Sequence, residues 1–143
     1  MPKHSETKIL PYTSKQLFDL VVDVEKYPQF LPWCMACRIK DQKDNLLIAD
    51  LIVGYKVIRE KFTSKVSFTE PSDILVEYLD GPMEYLHNKW HFKDIGDGSC
   101  EVTFFVDFEF KNPLLKGLMG VFFDEIIRRM TGAFETRAKD LYG

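Results

Sequence analysis

Three groups of residues have the types and spacings that could do chemistry. Cys34 and Cys37 are separated by two residues in Trp33-Cys34-Met35-Ala36-Cys37, the spacing of a dithiol redox pair. Such a pair works when its first thiol sits at a helix N-terminus, which lowers the thiol pKa. Here a helical segment precedes the cysteines and a strand follows, so structural thiols are expected. His87 and His91 have the spacing of a helical metal pair, but their context is a strand. At about 3.3 Å per residue the two rings stand roughly 13 Å apart, too far to share an ion. They are expected on an outer face with Tyr85 and Lys89, with no metal. Glu60 differs, because it falls on the apolar side of its strand. A carboxylate there must be paired, hydrogen-bonded, or protonated with a raised pKa. It is expected either to meet the polar head of a ligand or to pair with Arg38, Lys56 or Asn88. No inward histidine or nucleophile–base pair accompanies it, so no catalytic residue is assigned.

The elements that must position these residues follow from pattern. The 143 residues suit a single domain, 1–143, large enough to bury a core without staples. Aromatics make up 14% with 12 Phe, more than a compact core of this size demands. A net charge of −3 argues against a protein that wraps DNA. Three cysteines exclude a full disulfide framework and favour a reducing compartment. The polar N-terminus reads as no secretory signal, and no apolar run approaches the roughly 20 residues that span a bilayer. The expected location is cytoplasmic, or peripheral to the inner membrane.

Lys3 to Leu10 reads as a strand, ended by Pro11. Thr13 and Gln16 make a capping box for a first helix, and Glu25 to Leu31 a second short helical piece. Strands follow over Leu46–Tyr55, Val57–Thr69, Ile74–Leu79, Tyr85–Lys93 and Ser99–Phe110, and Arg38 to Asp41 belongs to one more. In the last of them Cys100, Val102, Phe104, Val106, Phe108 and Phe110 face one way. Glu101, Thr103, Asp107 and Glu109 face the other, with Phe105 the exception. Asn112 caps a terminal helix from Pro113 to Tyr142. This predicts an α+β helix-grip fold: a curved antiparallel sheet of six to seven strands around a long C-terminal helix, with two short helices after the first strand. One helix cannot fill the concave side of such a sheet, so the space is a cavity or is plugged by aromatics.

Asp23-Val24-Glu25-Lys26-Tyr27-Pro28-Gln29-Phe30-Leu31-Pro32-Trp33 resembles the hallmark of the coenzyme Q-binding, START-like proteins. That family includes the bacterial ribosome-association toxin and proteins once labelled oligoketide cyclases. Arg59-Glu60-Lys61-Phe62, Gly81-Pro82, Leu86 with Trp90 and Phe92, and Phe108 with Phe110 extend the likeness along nearly the whole chain. Cys34 and Cys37 depart from the pattern. The resemblance implies a carrier of ubiquinone or a similar polyprenyl quinone, bound as ligand with no required cofactor. It implies as alternatives a toxin acting on the large ribosomal subunit and, third, a polyketide cyclase or aromatase.

Strand geometry then supplies the expected ligand-binding residues. From the segment before the sheet come Phe30, Leu31 and Trp33; from the strands Leu51, Val53, Tyr55, Ile58, Glu60, Phe62, Asn88, Trp90, Phe92, Phe104, Phe108 and Phe110. The terminal helix adds Leu115, Leu118, Met119 and Phe122. Tyr55, Glu60 or Asn88 would touch a polar head. At about 0.8 kcal/mol per buried CH₂, two five-carbon units suffice for micromolar binding before ordering costs. The helix is apolar all round from Leu114 to Phe123. Its outer side is expected to meet a membrane, a partner or the cavity mouth, or to lie under the Glu25–Trp33 segment. Lys111, Lys116, Arg128, Arg129, Arg137 and Lys139 are either a surface for ribosomal RNA or anionic lipid, or simply the wet face of the helix.

Overall fold

The structure, a computed structural model, describes residues 3–55 and 58–143, and the side chains of Tyr55 and Ile58 are not described. The chain runs β1 (Lys3–Leu10), α1 (Ser14–Val22), a 3₁₀ helix (Val24–Gln29), β2 (Cys34–Lys43), β3 (Leu46–Tyr55), β4 (Ile58–Thr69), β5 (Asp73–Asp80), β6 (Met83–Gly96), β7 (Ser99–Phe110) and α2 (Pro113–Tyr142). All seven strands form one antiparallel sheet in the order β1-β7-β6-β5-β4-β3-β2. The helix-grip expectation is met, with the higher strand count.

Local chemistry explains the elements. Thr13 accepts from the Gln16 N–H while the Gln16 side chain returns to the Thr13 N–H, so α1 starts with a full capping box. Pro28 lies inside the second helical piece, which is 3₁₀ and only six residues long. Asn112 accepts from Leu114 N at 2.7 Å and Pro113 opens α2, which leaves two of its free N-terminal donor positions accounted for. β2 begins at Cys34, earlier than the Arg38 start read from pattern. A bulge between Cys34 and Ala36 hid its alternation, and it turns both Cys34 and Cys37 to the concave side. The expected start of β4 at Val57 lies outside the described residues.

The concave side of the sheet is not uniform. At one end Leu47, Ala49, Val66, Ile74, Phe92, Cys100 and Val102 are buried beneath Leu17, Phe18, Leu20 and Val21 of α1. Phe134 from the second half of α2 packs on the same cluster. A second, smaller cluster joins Phe123 and Ile127 of α2 to Val106, with Leu86, Phe108 and Met119 around it. The first half of α2 therefore rests on β6 and β7.

Candidate functional site

Register fixes which side chains share the concave wall. Leu47, Ala49, Leu51 and Val53 of β3 stand opposite Val66, Ser64, Phe62 and Glu60 of β4. Val66, Ser64 and Phe68 pair with Val76, Tyr78 and Ile74 of β5, and these continue to Asn88 and Trp90 of β6 and to Val106 and Phe104 of β7. Along the same strands, and on the same face, burial then changes. Leu47, Ile74 and Phe92 are 2%, 2% and 3% exposed. Leu51, Val53, Phe62, Val76, Tyr78, Leu86, Phe108 and Phe110, nearer the other end, are only partly buried. The concave wall thus has a closed half and an open half, the open half carrying the half-buried apolar side chains.

Trp90 stands at the junction. Its indole N–H donates to Asn88 Oδ1 at 3.2 Å, and Asn88 Nδ2 donates to the Phe105 carbonyl at 2.8 Å. Phe104 and Phe134 pack against the indole at 4.6 and 5.2 Å between centroids. Behind it, toward α1, a cavity of about 40 Å³ is lined by Leu17, Leu20, Val21, Trp90, Phe92, Phe104 and Phe134, with Lys8 and Glu135 at its edge. That space is small, and apolar side chains supply most of its lining.

The expected ligand residues therefore divide. Leu51 and Val53 stand opposite Phe62 and Glu60 in the half-buried part of the wall, and Phe108 and Phe110 are half-buried on β7. Of the helix residues, Met119 packs by Phe108, Leu115 is buried and Leu118 is half-buried. Phe30, Leu31, Trp90, Phe92 and Phe104 belong to the packed half or its boundary. Phe30 is held between Tyr27 and Phe134, with the Arg137 guanidinium 5.2 Å above its ring. Asn88 spends its amide on Trp90 and the β7 backbone, so it is a clamp and not a free head-group contact. Trp33 sits at the entry to β2 with φ 65° and its carbonyl accepts from Gly54 N at 2.9 Å. Phe122 is 42% exposed, and its neighbour Phe123, 9% exposed, takes the inward place against Phe108. An all-round apolar sequence could not distinguish the two. Tyr55 and Ile58 fall on side chains that are not described.

Sequence reading missed Ser64 and Tyr78. Both interrupt an apolar face, and a serine between Phe62 and Val66 gives no periodic signal. The Tyr78 hydroxyl accepts from Met83 N at 3.0 Å at the β5–β6 turn. In that turn Gly81 has φ +144°, and an added Cβ would come within 2.6 Å of Phe62 Cβ, so only glycine lets the turn close against Phe62.

Burial pushes the Cys34 and Cys37 thiols up to about 11 and about 12, the reverse of a redox thiolate. Burial likewise raises the Tyr27 phenol, whose hydroxyl bonds the Val21 carbonyl. His87 and His91 stand on the convex face, His91 against Asp73 at 2.8 Å and His87 between Glu77 and Asp107. No cluster of metal-ligating side chains occurs among the described residues.

The profile described as polyketide cyclase / dehydrase and lipid transport matches residues 10–135. The chain belongs to this polyketide cyclase and lipid transport family. Its relatives include the ribosome association toxin RatA of Rickettsia prowazekii, 39% identical over 145 residues and covering 99% of each chain. The coenzyme Q-binding protein COQ10 homolog B of Xenopus laevis is 34% identical over 145 residues, covering 99% of this chain and 59% of the relative. Among solved structures, the 18 kDa protein of Caulobacter crescentus is 36% identical, with TM-score 0.78 over 100% of this chain and 99% of that one. Family membership agrees with the START-like resemblance and with the helix-grip fold. The two curated relatives are named for binding or toxin roles, whereas the family's description includes cyclases.

Proposed function

We propose that the open half of the concave face binds an apolar ligand with a polar ring, an isoprenoid quinone of the ubiquinone type, and that the chain carries it without transforming it. The supporting observation is the change from buried to half-exposed apolar side chains along single strands of one wall. Apolar surface of that extent is costly to leave wet. The name of the Xenopus relative points to the same ligand class. The carrier works against a membrane, with Leu114, Val121 and Phe122 of α2, 63%, 75% and 42% exposed, as its contact. None of the described helices is long and apolar enough to cross one. The test is native mass spectrometry of the purified protein, then organic extraction and quinone analysis. A stoichiometric polyprenyl quinone is expected; a protein that is empty and takes up no added quinone overturns the reading.

A second reading is favoured by the RatA relatives, which match almost end to end. In that reading the chain binds the large ribosomal subunit and blocks subunit association. The cations of α2 give it modest support. Lys116 pairs with Glu84 at 3.4 Å, Arg129 with Glu125 at 3.1 Å, and Arg137 bonds Gln29 at 2.9 Å, so these three are engaged locally. Sedimentation of lysate after overexpression separates the two, since loss of assembled ribosomes is not expected of a quinone carrier. A cyclase ranks third, because among the described residues the concave wall offers Glu60 and no basic partner beside it.

A further inference from the structure

The convex face of β2, β3 and β4 carries an excess of positive charge that the net charge of −3 conceals. Ala49 and Leu51 point to the concave wall, so Asp50 between them points out, opposite Arg38 on β2 and Thr63 on β4. The same parity sends Lys43, Arg59, Lys61 and Lys65 outward, and a bulge between Ile39 and Asp41 brings Lys40 to the same side. Asp50 is 7% exposed and accepts from Thr63 Oγ1 at 2.6 Å. The Lys61 and Lys40 ammoniums lie 3.7 and 3.9 Å from its other oxygen. One carboxylate thus gathers two cations, with Arg38 beside it, and the cluster stays positive. Asp41 is the other carboxylate on the outward positions of these strands among the described residues. At the border, Glu77 on β5 pairs with Lys65 at 3.9 Å and Asp80 stands opposite Thr63. Arg38, Lys40, Lys43, Arg59 and Lys61 are all exposed.

We propose that this face docks on the phosphate backbone of double-helical RNA. The inference rests on the ribosome reading above for its partner, and it moves the contact from α2 to the opposite side of the sheet. Exposed cations held on paired strands are positioned before they meet a polyanion, and the counterions they displace favour binding. Successive outward residues of one strand stand roughly 6.6 Å apart, and β2 and β4 lie about 10 Å apart across β3. The cations therefore form a two-dimensional array and not a single line. No aromatic side chain occupies these outward positions among the described residues, so unpaired bases have nothing to stack on. Phosphates of a duplex are the contacts that remain, read by shape and not by sequence. A membrane fits this face less well. Its apolar residues, Leu46, Ile48 and Ile52, are half-buried, whereas the exposed Leu114, Val121 and Phe122 lie on α2, which packs on the concave side.

The test is fluorescence anisotropy of a labelled RNA hairpin with a fully paired stem, titrated with the full chain over a series of KCl concentrations. The double variant Arg38→Gln with Arg59→Gln leaves the Lys40–Asp50–Lys61 group intact, so its thermal midpoint should match that of the parent. Its RNA affinity is expected to fall about tenfold at 100 mM salt, and its salt slope to be shallower by about two. Arg128→Gln with Lys139→Gln removes the same charge from α2 and should leave affinity within about twofold of the parent. Equal losses in the two doubles would show that binding follows net charge, and would overturn the role of this face. A parent that fails to bind the hairpin at low salt overturns the inference outright. Vesicles of anionic lipid serve as the competing occupant: binding to them in place of RNA, lost in the Arg38 and Arg59 double, would give the face to a membrane. Ribosome sedimentation is scored separately. Loss of assembled ribosomes without hairpin binding leaves the ribosome reading standing and sinks this surface, and hairpin binding with ribosomes intact does the reverse.

Discussion

Asn88 Oδ1 accepts the indole N–H of Trp90 at 3.2 Å, from two residues earlier on the same face of β6. The bond turns a neighbour along the strand into a clamp, because Asn88 is itself tied to the Phe105 carbonyl across the sheet. A buried indole needs a partner for its N–H, and here that partner also sets the ring's plane against Phe104 and Phe134. The clamp therefore fixes the indole at the junction between the closed and open halves of the wall.

Replacing Asn88 by Leu leaves that N–H buried without an acceptor. A loss of about 1–3 kcal/mol of stability is expected. Urea unfolding followed by tryptophan emission measures it, and an unchanged midpoint would show that the clamp is idle.

Glu60→Gln should leave the thermal midpoint in place while weakening the binding of a quinone. Unchanged quinone affinity would remove Glu60 from the site.

Membrane contact is best tested at Val121 and Phe122. The pair Val121→Asp and Phe122→Asp should abolish co-sedimentation with liposomes of mixed neutral and anionic lipid, and leave the circular dichroism spectrum intact. Phe123→Asp, which the all-round apolar pattern suggests just as readily, would instead bury a charge against Phe108 and damage the fold. Undiminished liposome binding by the outward pair would remove α2 as the contact.

The cysteines should resist alkylation. With thiols pushed up to about 11 and about 12, only about one in a thousand of the more acidic group is ionised at pH 8. Labelling by a disulfide-exchange reagent should be slow in the native protein and fast in denaturant. Prompt native labelling of Cys34 or Cys37 at that pH would contradict their burial.

Asp94 ties the β6–β7 hairpin to the start of α1. It accepts from Ser14 N at 2.8 Å and Ser14 Oγ at 2.7 Å, and these donors lower its pKa. A carboxylate held below its unfolded value, about 3.9, contributes stability that is present above that value and lost as pH falls through the folded one. Asp94→Asn should therefore lower the thermal midpoint at neutral pH and reduce its fall below about pH 4. Parallel acid profiles for parent and variant would rule out this linkage.

Much of the fold could be read from the residues because its signals are local. The Thr13–Gln16 box, the Asn112-Pro113 start of α2 and the alternation of β7 each depend on a few neighbouring side chains, and all three are present. The start of β2 was hidden because a bulge breaks its period at Cys34. The site was less legible, since alternation says which residues face inward and not which of them are covered. Phe92 and Phe62 look alike on paper; α1 buries the first and leaves the second half open.

The two-part wall also bears on how such a protein changes over generations. Phe18, Leu47 and Cys100 anchor folding at one end of the strands, each less than 2% exposed or nearly so. Substitutions at Leu51, Phe62 or Phe110 alter what the other end accepts and remove little of the packing on which folding depends. Specificity can drift there while the scaffold stays under constraint, which is how one architecture can serve unrelated cargoes.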